Sequence, residues 1–143
     1  MMTRILLTAV MATLVATQPL LAGEQNIEPN DYGQIEFRMP SGNIGCIYTP
    51  EGGTDVYQPE GGGAELSCDR VEPSYVRVVL GSDDDTERYD DVGDAGCCGG
   101  KKLAYGNWIE LGPFTCWSET TGLTCERDDD TGFLISKATI KLF

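Results

Sequence analysis

Polar and apolar residues alternate with period two over residues 34–39 (Gln-Ile-Glu-Phe-Arg-Met), the pattern of a half-buried β-strand. A turn at 40–43 and a second strand over 44–49 complete a first hairpin. Residues 50–63 are rich in glycine and proline and read as a loop. A short strand follows at 65–68. The strongest β run is 75–80 (Tyr-Val-Arg-Val-Val-Leu), dense in β-branched side chains. Residues 82–94 form an acidic loop, 95–100 hold a cysteine doublet between glycines, and 101–105 and 107–111 read as strands around Gly106. Three more short strands, 114–119, 123–127 and 133–136, are separated by turns at 120–122 and 128–132. Such spacing predicts an all-β fold, a small disulfide-stapled antiparallel sandwich or barrel with a C-terminal meander. No segment beyond residue 22 sustains a 3.6-residue period, so little helix is expected. There is no internal repeat.

The first 22 residues have a different character. Arg4 supplies a short positive region, residues 5–16 are apolar apart from Thr8 and Thr13, and Ala22 is a small residue ahead of Gly23. This layout is that of a cleavable secretory signal, residues 1–22. As a membrane span it is barely long enough, and its threonines, Gln18 and Pro19 weaken it. No membrane insertion is expected after cleavage. No cysteine lies near the cut, which argues against a lipid anchor. Residues 23–33 are polar and read as a flexible leader, and 34–143 as a single β domain. The chain after the cut, roughly 120 residues, has the size of one domain.

Six cysteines, Cys46, Cys68, Cys97, Cys98, Cys116 and Cys125, all lie beyond the signal. In an exported chain an even number reads as disulfides. If Thr120-Thr121 form a two-residue turn, Ser118 faces Leu123 and Cys116 faces Cys125, which favours that pair. Cys46 and Cys68 flank the glycine-rich loop and would close it, with an expected contribution of about 3 kcal/mol. Cys97 and Cys98 remain. Consecutive Cα atoms lie about 3.8 Å apart, below the usual range for a disulfide. A vicinal bond is strained and more easily reduced, which suits a redox switch. A rigid kink, or pairing with cysteines assigned above, are the other readings.

Charge and missing residue types narrow the function. The 143-residue chain has a net charge of −13, and loss of Arg4 makes it more negative. So acidic a domain repels nucleic acid and anionic lipid and attracts cations, though solubility alone accounts for many acidic surfaces. The chain contains no histidine. That removes Ser-His-Asp and Cys-His catalysis and the commonest transition-metal ligand. Gly100-Lys101-Lys102 superficially resembles a phosphate loop, but the required glycine would fall at Ala95 and the required Ser or Thr at Lys102. Asp83, Asp84 and Asp85, with Asp90, Asp91 and Asp94, offer clustered oxygens of the kind calcium takes, as do residues 128–130. Neither run has the glycine and terminal glutamate of a calcium loop in register. Nothing among the acidic residues selects a pair for glycoside hydrolysis. No catalytic residue, metal site or cofactor is therefore assigned.

Aromatic residues Tyr105, Trp108, Phe114 and Trp117 crowd the C-terminal third. Such residues are most often core, yet they also make recognition faces for sugars or proteins. Strand alternation places Phe114, Cys116 and Ser118 on one face and Thr115 and Trp117 on the other. With Cys116 inward, Trp117 points outward. Trp117, Trp108, Tyr105, Asp83, Asp84 and Asp85 are the candidate binding residues.

The blocks Ser41-Gly42-Asn43-Ile44-Gly45-Cys46, Tyr105-Gly106-Asn107-Trp108, Gly112-Pro113-Phe114-Thr115-Cys116, Gly122-Leu123-Thr124-Cys125 and Gly132-Phe133-Leu134-Ile135-Ser136-Lys137 occur in that order. The set resembles a family of small exported bacterial domains of unknown function, found in actinobacteria and proteobacteria, over roughly residues 37–143. The resemblance implies an exported domain and carries over no catalytic residue. Two features depart from the family pattern. Residues 128–130 make a more acidic turn than expected there, and the Cys97-Cys98 doublet stands where the family has a single cysteine.

The expected function is an exported, periplasmic or secreted, acidic binding module without enzymatic activity. Its partner would be a cationic protein or envelope component, for example a basic cell-wall hydrolase such as lysozyme, and not nucleic acid. A second expectation, from a different class, is a thiol-disulfide active protein using Cys97 and Cys98, with Lys101 and Lys102 near enough in sequence to stabilise a thiolate. A third is a purely structural envelope protein.

Overall fold

A computed structural model describes residues 22–143. The expected signal peptide, all but Ala22, lies outside the described residues. Among them there is no helix, and hence none long and apolar enough to cross a membrane. Eleven strands among the described residues form two sheets. The first sheet holds β1 (Ile35–Arg38), β2 (Ile44–Thr49), β3 (Glu65–Arg70), β4 (Val76–Gly81), β5 (Glu87–Tyr89) and β6 (Lys101–Lys102), in the order β5-β4-β3-β2-β1-β6. The second holds β7 (Trp108–Leu111), β8 (Phe114–Glu119), β9 (Gly122–Arg127), β10 (Gly132–Ile135) and β11 (Ile140–Leu142), a meander in the order β11-β10-β9-β8-β7. Neither sheet closes into a barrel. The fold is a disulfide-stapled β sandwich.

Alternation along the longer strands builds the core. Phe37, Leu66, Val76, Val78 and Leu80 point inward from the first sheet, and Leu111, Phe114, Leu123, Phe133 and Ile135 from the second. All are buried, each contributing about 1.5–3 kcal/mol by burial of apolar area. Tyr48 and Phe114 meet between the sheets edge to face, centroids 6.1 Å apart. Cys46 and Cys68 are directly opposite on β2 and β3, and Cys116 and Cys125 on β8 and β9. Both pairs are bonded and buried, so each sheet carries one staple inside the core. Ser118 pairs with Leu123 and Glu119 with Gly122, leaving Thr120 and Thr121 as the two-residue turn the sequence suggests.

The structure departs from the sequence expectations in four places. The acidic loop contains a strand, β5, whose three residues are all exposed and so show no burial alternation. Residues 140–142 form an edge strand, β11, where none was expected. The antiparallel expectation fails at β6, which is only two residues long and runs parallel to β1. Residues 23–33 are not a free leader. The Gln25 amide donates to the Trp108 carbonyl at 2.8 Å, the Trp108 amide donates to the Gly23 carbonyl at 3.0 Å, and Ile27 is buried. Gly23 and Gln25 thus pair with the start of β7 at its edge, satisfying both backbone groups of Trp108 that an edge strand would leave open.

Candidate functional site

The connection from β5 to β6 must travel from one edge of the first sheet to the other, and residues 90–100 do so across its outer face. Beneath them runs a row of residues in register, namely Tyr89 on β5, Arg77 on β4, Asp69 on β3, Gly45 on β2 and Arg38 on β1. The strap touches this row step by step. Asp94 accepts from Arg77 Nη1 at 2.8 Å. The Cys97 amide donates to the Tyr75 hydroxyl at 3.1 Å, and the Cys97 sulfur lies 3.7 Å from the Asp69 carbonyl. Cys98 sits on Gly45, and the Gly100 carbonyl accepts from Arg38. Cys97 and Cys98 are bonded to each other, so no cysteine among the described residues is free.

Arg77 is the hub. Its Nε and Nη2 donate to Asp69 Oδ1 and Oδ2 at 2.7 and 2.8 Å, a bidentate pair whose carboxylate also accepts from the Tyr75 hydroxyl. The Asp69 hydrogen bonds, with help from Asp94, hold the Arg77 guanidinium even further above its ordinary range. Burial and the bond to Asp69 push the Tyr75 phenol up. Arg77 is therefore permanently charged and already neutralised by two acids. A small cavity of about 140 Å³ lies beside the disulfide, bordered by Glu36, Asp69, Arg77 and the Cys97-Cys98 pair.

A larger trough, about 550 Å³, opens on the same outer face toward β5. Three segments supply its carboxylates. Glu60 and Glu65 come from the glycine-rich loop and β3, Asp83 to Asp85 and Glu87 from the acidic loop and β5, and Asp91 and Asp94 from the strap. Arg77 is the one cation lining it among the described residues. Tyr57 and Tyr89 rise at its rim, both 44% exposed. The Tyr57 hydroxyl donates to Glu65 at 2.8 Å, and the Tyr89 hydroxyl donates to Glu87. Desolvation and the Glu65 carboxylate push the Tyr57 phenol up to about 12. The acidic loop is fixed from the other sheet. Buried Arg127 on β9 donates to the Gly81 and Asp84 carbonyls, both at 2.7 Å, and to Asp129. The trough is thus a negatively charged recess with aromatic edges, suited to a cation with an apolar stem.

The expected binding residues fall into two groups on opposite faces. Asp83, Asp84 and Asp85 line the trough. Trp108 and Trp117 are directly opposite each other on the outer face of the second sheet, half-buried, with Tyr105 exposed in the preceding loop. Lys101 and Lys102 pair with β1 and do not border the cavity beside the disulfide. Among the described residues no three acidic or cysteine side chains converge on a point where a metal ion could sit. The sequence reading missed Asp69, Tyr75, Arg77, Tyr57 and Tyr89. The alternation of Glu65, Ser67 and Asp69 against that of Arg77 and Val79 marks outward faces, but only strand pairing puts acid and base side by side. Comparison of the chain with protein-family models, with curated proteins and with solved structures returned no match.

Proposed function

We propose that this protein is an exported acidic binding module that receives a cationic segment of a protein or envelope polymer in the trough beside β5. The observation that carries the reading is the convergence of carboxylates from three separate segments on one recess whose only cation, among the described residues, is already paired. Unpaired negative charge in a recess focuses the field and draws in a partner of opposite sign. The exposed rings of Tyr57 and Tyr89 add faces on which an ammonium or guanidinium group can rest. Export is supported by the signal-like residues 1–22 and by three disulfides, which need an oxidising compartment. The module acts by binding, without catalysis. A chain with no histidine and a wide recess, in place of a closed cleft, suits that role.

The test is titration of the oxidised protein with oligolysine and with lysozyme, used as a basic protein probe, at low and moderate salt. Binding should weaken steeply with salt, because exposed charges are screened within about 10 Å at 0.1 M. It should also weaken about tenfold in a Glu87→Gln, Asp91→Asn variant, the loss expected when two charges leave the rim. Absence of binding at low salt, or binding indifferent to the variant, overturns the proposal.

A further inference from the structure

We propose that the Cys97–Cys98 disulfide is a redox-controlled latch on one wall of the acidic trough, so that reduction by a dithiol weakens binding of a cationic ligand. The inference rests on the binding reading of the trough given above and adds its regulation. The strap that carries the cysteines also carries the wall. Asp91 and Asp94 line the trough, and Cys97 and Cys98 seat the same segment a few residues later on Gly45. Little else holds it. Among the described residues no backbone–backbone hydrogen bond involves residues 90–99. Their fixings beyond the β5 end are the Arg77–Asp94 ion pair and the Cys97 contacts with Tyr75 and Asp69. A segment with so few bonded backbone groups belongs to the least stable part of a fold, so a single covalent constraint has leverage on it.

Access separates this disulfide from the other two. Cys46, Cys68, Cys116 and Cys125 are buried in the core, while Cys97 and Cys98 are half-exposed beside an open cavity. A dithiol reductant therefore reaches Cys97–Cys98 first. One of its thiolates attacks a sulfur of the pair, giving a mixed disulfide and one free cysteine thiolate. Its second thiol then displaces the other cysteine. The Cys97–Cys98 bond is broken, its sulfurs take up two electrons and two protons, and the reductant departs as its own disulfide.

Two unbonded sulfurs cannot approach closer than van der Waals contact, roughly 3.5 Å. The reduced pair needs more room, and on its Gly45 side it is already closely packed. A Cβ built there would stand only 2.7 Å from Cys98 Cβ and 3.1 Å from Cys97 Sγ. The sulfurs therefore part toward the open cavity, which shifts the strap off Gly45 and loosens the segment that holds Asp91 and Asp94. A ligand must then order them again on binding, a cost that preorganisation had removed.

The experiment compares oligolysine affinity of the oxidised protein, of the protein reduced stepwise with dithiothreitol, and of a Cys97→Ser, Cys98→Ser variant. Peptide mapping identifies which disulfide is open at each step, and hydrogen exchange follows residues 90–99. Cys97–Cys98 should open first, affinity should fall about tenfold in the reduced protein and the variant, and exchange should quicken in the strap while the core stays protected. Equal affinity with Cys97–Cys98 shown to be open overturns the latch, as does prior opening of either core disulfide. If the oxidised protein does not bind oligolysine, the trough reading fails by itself. The latch is then judged on exchange alone, and unchanged protection of the strap on reduction overturns it. Should the double variant not fold, stepwise reduction of the native protein decides.

Discussion

Cys98 rests directly on Gly45. A Cβ at position 45 would come within 2.7 Å of Cys98 Cβ and 3.0 Å of its sulfur, so the outer face of β2 accepts the strap only because that residue has no side chain. Gly45→Ala should therefore unseat the strap and destabilise the protein by about 1–3 kcal/mol, the usual cost of overpacking a filled contact. Thermal melting measures the loss, and hydrogen exchange should place it at residues 94–98. An unchanged melting temperature would mean that the strap is free to move aside.

Arg127 reaches from β9 to the carbonyls of Gly81 and Asp84 and so fixes the acidic loop from the opposite sheet. Arg127→Met keeps the stem and removes the donors. The expected cost is about 2–3 kcal/mol, because two backbone carbonyls lose their charged donor and Asp129 loses its ion-pair partner. Faster exchange at residues 82–86, with β2 and β3 unchanged, would locate the effect at the trough.

Tyr57 should ionise near pH 12, against an ordinary value of 10.0, because it is desolvated and faces Glu65. A raised pKa in the folded state means that the associated stability is present below pH 10 and is withdrawn as the pH climbs toward 12. Phenolate absorbance of the native protein minus that of Tyr57→Phe isolates this step. Glu65→Gln, which removes the carboxylate from the same contact, should move the step down.

The two core disulfides differ in the loops they close, with sequence separations of 22 for Cys46–Cys68 and 9 for Cys116–Cys125. Loop-closure entropy makes each worth about 2.5–3.5 kcal/mol, the longer loop more by somewhat under about 1 kcal/mol. Denaturant melts of the two paired Cys→Ala variants should rank them in that order. The reverse ranking would show that packing around Cys116 and Cys125 outweighs the loop term.

What the sequence determined by itself is the part of the protein governed by neighbours along the chain. The β8–β9 hairpin was legible down to its register, because a two-residue turn at Thr120-Thr121 leaves one pairing, with Ser118 opposite Leu123 and Cys116 opposite Cys125. The strands around Cys46 and Val78 were legible for the same reason, since alternation and β-branching act residue by residue. The short edge strands β5 and β11 were not. Glu87–Tyr89 is exposed throughout and Ile140–Leu142 nearly so, and their hydrogen bonds come from partners that no local pattern reveals. The docking of residues 23–25 on β7 likewise depends on an edge that exists only once the sheet has formed. The candidate site belongs wholly to this second kind. Asp69 and Arg77 are eight residues apart, Arg77 and Asp94 seventeen, and Gly45 and Cys98 lie farther apart still in the chain. They meet because sheet order sends residues 90–100 across the face of four strands, and long-range strand pairing is a property of the assembled sandwich that no window of sequence contains.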